Sequence, residues 1–143
     1  LVTGASGGIG ESLARQFAAM GNNLLLVARS EEKLQVLCKE FCNKYGIQAD
    51  YIVADLAQPN GPDMVFKKAQ EKNLSVDLLV NNAGTGSSGE FSKNDLSAEL
   101  TMLQLNTSSM VAMCRLFLPG MIARSGGTIV NVGSVASFIP RSV

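Results

Sequence analysis

Short apolar runs and longer amphipathic stretches alternate along the chain, and glycine, proline or asparagine closes most of them. Leu1-Val2 reads as the end of a first strand. A helical pattern follows from about Gly8 to Met20, with Ile9, Leu13 and Phe17 on one face. Small residues at Gly10, Ala14 and Ala18 recur every four positions and allow close packing on a sheet. Gly21-Asn22 stops that helix. Asn23–Ala28 is almost continuously apolar, as a strand covered on both faces is. Ser30 stands at an N-cap position, and Glu31 and Glu32 favour the positive end of a second helix. Leu34, Leu37, Cys38 and Phe41 follow at helical spacing up to Gly46. Tyr51–Ala54 is a third strand. Pro59 and Pro62 mark the next turn and helix start, and Val65, Phe66 and Ala69 give that helix a buried face. Val76–Val80 is a fourth strand, followed by a polar loop from Gly84 to Gly89. Ser92–Asp95 opens further helical sequence, with Leu96, Leu100 and Leu103 apolar, which continues as a long helix to about Arg124. Gly126-Gly127 breaks it before a fifth strand, Thr128–Val132.

Strand and helix alternating in this way predict a doubly wound parallel sheet with helices on both faces, the α/β class. The 143 residues suit one domain, 1–143, with neither repeat nor linker. The chain is 46% hydrophobic with formal net charge zero, so it lacks the basic excess of a nucleic-acid-binding surface. Without histidine there is no His-based triad and no His metal ligand. Cys38, Cys42 and Cys114 form no C-x-x-C pair. The first two share a helix face at i, i+4, which reads as core packing. This cysteine usage fits a reducing compartment, so a cytoplasmic location is expected. The apolar stretch Met110–Ala123 is too short to span a membrane, which takes about 20 residues. The helix carrying Met110, Met113 and Phe117 is instead the expected contact of a homo-oligomer. No signal-peptide pattern is visible, although the chain begins inside a strand.

Candidate chemistry starts at Thr3-Gly4-Ala5-Ser6-Gly7-Gly8-Ile9-Gly10. A glycine-rich turn between a strand and a helix is either an ordinary turn or a site for a dinucleotide pyrophosphate, which free helix N–H groups and the helix dipole attract. Glycine permits the tight turn and the close approach of backbone to ligand. The spacing Gly4, Gly8, Gly10 is G-x-x-x-G-x-G. With Asn81-Asn82-Ala83-Gly84 after the fourth strand, it resembles the short-chain dehydrogenase/reductase family, whose signatures are T-G-x-x-x-G-x-G and N-N-A-G. A sugar-nucleotide epimerase of the extended branch is disfavoured, since its loop is usually G-x-x-G-x-x-G.

The resemblance implies a Rossmann fold, incomplete at both ends, and a cofactor site made by Gly4, Ser6, Gly7, Gly8, Ile9, Gly10, Arg29, Asp55, Leu56, Asn82, Ala83 and Gly84. An NAD enzyme usually places a carboxylate at the end of the second strand. Here the run is Val27-Ala28-Arg29-Ser30, and Arg29 suits a 2′-phosphate, so NADP(H) is expected over NAD(H). Arg29 as a solvated loop residue is the plainer alternative. Asp55 is implied to accept a hydrogen bond from the adenine amino group, or else to cap a turn. Asn106, inside the long helix, is implied to kink it and hold a water of a proton relay. Ser134 is implied to donate a hydrogen bond to the substrate carbonyl or hydroxyl.

One part of the pattern is missing. The family's acid/base is a tyrosine about a dozen residues past that serine, in Tyr-x-x-x-Lys. The chain reaches Val143, and its tyrosines, Tyr45 and Tyr51, have Ala49 and Asp55 four residues on. The expectation is a fragment, inactive by itself. Its parent would be an NADP(H)-dependent oxidoreductase that interconverts a small-molecule carbonyl and a secondary alcohol. A non-catalytic dinucleotide-binding sensor or scaffold is the alternative.

Overall fold

The computed structural model describes residues 1–135 and Phe138. Five parallel strands form one sheet in the order β3-β2-β1-β4-β5. These are β1 (Val2–Thr3), β2 (Leu24–Ala28), β3 (Ala49–Val53), β4 (Leu78–Asn81) and β5 (Thr128–Asn131). The helices are α1 (Gly8–Ala19), α2 (Glu31–Tyr45), α3 (Gly61–Glu71), α4 (Leu96–Leu103) and α5 (Ser109–Ala123).

The alternation of β2 explains the two layers. Leu24, Leu26 and Ala28 join a core with Ala14 and Ala18 of α1 and Leu34, Leu37 and Phe41 of α2. Leu25 and Val27 face the other way, into a core with Val65 and Ala69 of α3 and Met113, Phe117 and Met121 of α5. All five β2 residues are buried, as the unbroken apolar run predicts.

Several local expectations shift. The face that α1 buries is Gly10, Ala14 and Ala18, while Ile9 is 63% exposed. Close contact with the sheet needs the small residues, so Leu13 and Phe17 only flank the core. Ser30 takes the N-cap position of α2 without a side-chain capping bond, although Gly46 closes that helix in the left-handed conformation at φ +67. Asp95 is a true N-cap, accepting from the backbone N–H groups of Ser97 and Ala98. Of the cysteine pair only Cys38 is buried, and Cys42 is exposed.

The long helix expected up to Arg124 is interrupted. A π-helical turn over Gln104–Ser108, with Asn106 at its centre, separates α4 from α5. Such turns carry one residue more than the α-helix and commonly mark functional positions. Met113 and Phe117 turn inward to the core, and the exposed apolar residues of α4 and α5 are Leu96, Leu100, Leu103, Val111, Leu118 and Ile122. Among the described residues no helix is long and apolar enough to cross a membrane.

Candidate cofactor site

The strand order reverses between β1 and β4, so the chain leaves their carboxyl ends toward opposite faces of the sheet. In open α/β sheets ligands bind at such a switch point. The sequence-predicted residues converge on this edge. The glycine turn leaves β1, Arg29 follows β2, Asp55-Leu56 follows β3 and Asn82–Gly84 follows β4. Ser134 lies three residues past β5 and is exposed.

Thr3 holds this edge together. The residue is 1% exposed; its hydroxyl donates to the Val80 carbonyl at 3.2 Å and accepts from the N–H groups of Asn82 at 2.9 Å and Ala83 at 3.0 Å. The Asn82 side-chain amide donates back to the Thr3 carbonyl at 3.0 Å. One hydroxyl thus meets two backbone N–H groups that leave the β4 ladder as the chain turns away.

The turn that β1 feeds is tightly packed on one side and open on the other. A Cβ on Gly10 would be driven into the Gly4 carbonyl oxygen and Asn82 Nδ2. One on Gly4, at φ +65, would lie 2.9 Å from Ala83 Cα and Asn82 Nδ2. Nothing lies within 4 Å of a Cβ position at Gly7 or Gly8. The first-turn N–H groups of α1 have no intrahelical acceptors, and no side chain caps them at Gly7. An uncapped helix start with an open outer face suits the pyrophosphate of a dinucleotide. These residues therefore fit the cofactor expected.

The remaining residues divide by what they already bond. Asp55 accepts the Ala57 N–H on Oδ1 at 3.0 Å, so its turn-capping role is real and engages one oxygen. Leu56 is 5% exposed, its side chain in the core shared with Val65 and Ala69. Arg29 is exposed at the sheet edge. Asn106 clamps the loop after β4: its Oδ1 accepts the Thr85 N–H at 3.0 Å and its Nδ2 donates to the Thr85 carbonyl at 2.7 Å. A Cβ on Gly84 would come within 3.2 Å of that same oxygen.

Two supports lie inside the signature motifs, and the structure supplies their partners. One is Thr3, whose signal was a polar side chain at the end of an apolar strand. The other is Asn81, 6% exposed, which donates to Asn131 Oδ1 at 2.9 Å and to Cys114 Sγ at 3.3 Å. Asn131 falls in register beside Asn81, so this bond joins the ends of β4 and β5 below the candidate serine.

Two cavities flank this layout. One of about 630 Å³ opens at the opposite, amino-terminal edge, beside Asn22 and Asp77, and touches none of the candidate cofactor-site residues. The other, about 390 Å³, lies between α1 and α2 and is bounded in part by Ser6 and Lys33.

Comparison with known proteins agrees with this geometry. A family model described as short chain dehydrogenase matches residues 1–143. The very-long-chain 3-oxoacyl-CoA reductase of Anas platyrhynchos is 36% identical over 145 residues, covering 98% of this chain and 46% of the relative. A human relative, named inactive hydroxysteroid dehydrogenase-like protein 1, is 34% identical over 136 residues, covering 94% of this chain and 41% of its own length. A solved short-chain dehydrogenase from Sphingobium yanoikuyae, in complex with NADPH, superposes with a TM-score of 0.87 at 33% identity. That match covers 96% of this chain and 53% of the solved one. The chain thus spans about half the length of the proteins it matches.

Proposed function

The chain belongs to the short-chain dehydrogenase family, and from that premise we propose that it is the cofactor-binding half of an NADP(H)-dependent oxidoreductase. The proposed reaction interconverts a carbonyl and a secondary alcohol on a small molecule. The observation that carries the reading is the glycine turn at the switch point. It is closed to any side chain at Gly10, open at Gly7 and Gly8, and clasped to the β4 edge through Thr3.

When bound, the nicotinamide cofactor supplies or takes up the hydride. The chain's own residues hold and orient it. The first turn of α1 receives the pyrophosphate, and Asn82–Gly84 line the ribose on the β4 side. Asp55, with one oxygen committed to its turn, offers the other to the adenine amino group. Arg29 favours the 2′-phosphate of NADP(H), because β2 ends in a cation where an NAD enzyme usually has a carboxylate. The NADPH complex of the Sphingobium relative is in keeping with this preference. Ser134 donates a hydrogen bond to the substrate oxygen and so polarises the reacting bond. Asn106, its side chain bound twice to Thr85, positions the loop that borders the nicotinamide end.

The subunit contact of the longer protein falls on the exposed stripe of α4 and α5, rather than on the buried Met113 and Phe117. A cofactor-binding protein without catalysis is the competing reading, and the human relative named inactive gives it a precedent. NADPH oxidation by the full-length protein with a panel of ketones separates the two. Turnover that falls in Ser134→Ala supports the enzyme. Tight NADPH binding with no turnover on any carbonyl supports the non-catalytic protein.

A further inference from the structure

We infer that Lys33, in the first turn of α2, is a second cationic contact for the 2′-phosphate and so a specificity-determining residue beside Arg29. This rests on the NADP(H) reading above and deepens it.

The placement follows from the packing of α1 on α2. Both helices follow parallel strands on the same face of the sheet, so they run side by side in one direction. Arg15 of α1 grips Glu40 of α2. Seven residues back along each helix is about 10.5 Å of rise, or roughly two turns. That step leads from Arg15 to Gly8 and from Glu40 to Lys33. Lys33 therefore stands level with the first turn of α1, where the anion site begins.

The cavity between the helices agrees independently. Ser6 of the glycine turn and Lys33 of α2 lie on the wall of the same space of about 390 Å³. The charges around it single out Lys33. Arg15 is held by Glu11 and Glu40, which leaves it little to offer a ligand. Lys33 makes no ion pair among the described residues. Glu32 borders the same cavity and opposes an anion there. A phosphate held between the β2 end and this cavity would have Arg29 on one side and Lys33 on the other.

The test is fluorescence titration of NADPH and of NADH onto the full-length protein, unaltered and as Lys33→Ala, Lys33→Arg and Glu32→Gln. Lys33→Ala is expected to raise the NADPH Kd about five- to tenfold, as loss of a charge-assisted contact does. The NADH Kd stays within about twofold, Lys33→Arg restores NADPH binding, and Glu32→Gln tightens it. If unaltered protein prefers NADPH and Lys33→Ala leaves that preference intact, the inference falls alone. Equal losses for both cofactors also overturn it, since Lys33 would then act on the shared pyrophosphate. If unaltered protein binds both cofactors equally, the NADP(H) reading falls and takes the inference with it.

Discussion

The Thr3 hydroxyl accepts the Asn82 N–H at 2.9 Å, and the Asn82 side chain donates to the Thr3 carbonyl at 3.0 Å. This reciprocal pair fastens the last residue of the central strand to the first residue past its neighbour. Thr3→Val keeps the shape but orphans the half-buried N–H groups of Asn82 and Ala83. Each such orphan costs about 1–3 kcal/mol. Urea unfolding is expected to register a loss of about 2–4 kcal/mol for Thr3→Val and far less for Thr3→Ser. Equal losses would show that the hydroxyl does not matter.

Gly10 and Gly7 separate packing from ligand access. Gly10→Ala forces a Cβ into the Gly4 carbonyl and Asn82, and overpacking of this kind costs about 1–3 kcal/mol. Both stability and NADPH binding should fall. At Gly7 the backbone is extended and a Cβ meets nothing within 4 Å. Gly7→Ala should leave the unfolding midpoint unchanged and still weaken NADPH binding, because the new methyl stands on the open face. Unchanged binding in Gly7→Ala would move the pyrophosphate elsewhere.

The two cysteines of α2, Cys38 and Cys42, should differ in reactivity. Burial first, then the negative neighbours Asp50 and Cys42, push the Cys38 thiol up to about 11. Only the thiolate reacts, so iodoacetamide at pH 8 should label exposed Cys42 and spare Cys38 until the protein unfolds. Peptide mass mapping reads this. The raised value also means that the folded state holds the Cys38 proton more tightly than the unfolded state. Its contribution to stability is full below about pH 9 and is lost as pH rises through about 11. Cys38→Ala should flatten the fall in stability over that window.

The apolar stripe on α4 and α5 gives a solution test. Leu100 is 55% exposed and Ile122 67%. If this face joins subunits, Leu100→Glu with Ile122→Glu should lower the mass of the full-length protein by light scattering, with its fold retained by circular dichroism. An unchanged mass would remove this face as the contact.

Much of this was legible in the residues, for reasons that differ by element. The strands stood out because a parallel sheet covered on both sides needs unbroken apolar runs, and Leu24–Ala28 is one. The glycine turn stood out because its backbone tolerates so few alternatives. The α1 face was harder. Ile9, Leu13 and Phe17 have the right period, yet contact distance decides which stripe packs, and Gly10, Ala14 and Ala18 come closer. The break at Asn106 was implied only by resemblance, since Leu105-Asn106-Thr107 alone reads as ordinary helix. The roles of Thr3, Asn81 and Asn131 depend on which strands lie side by side. Parallel neighbours here are separated by up to about eighty positions in the chain, and no local pattern announces such a pairing.

Cofactor preference tests the central claim most directly. The Kd values of NADPH and NADH, taken by fluorescence titration on the full-length protein before and after Arg29→Asp, put the whole edge to use. The account predicts NADPH bound at least about tenfold more tightly by the unaltered protein, as a bidentate arginine contact to phosphate allows. Arg29→Asp should erase that margin while leaving NADH binding nearly the same. Equal affinity for the two cofactors before substitution, or equal losses after it, would contradict the account.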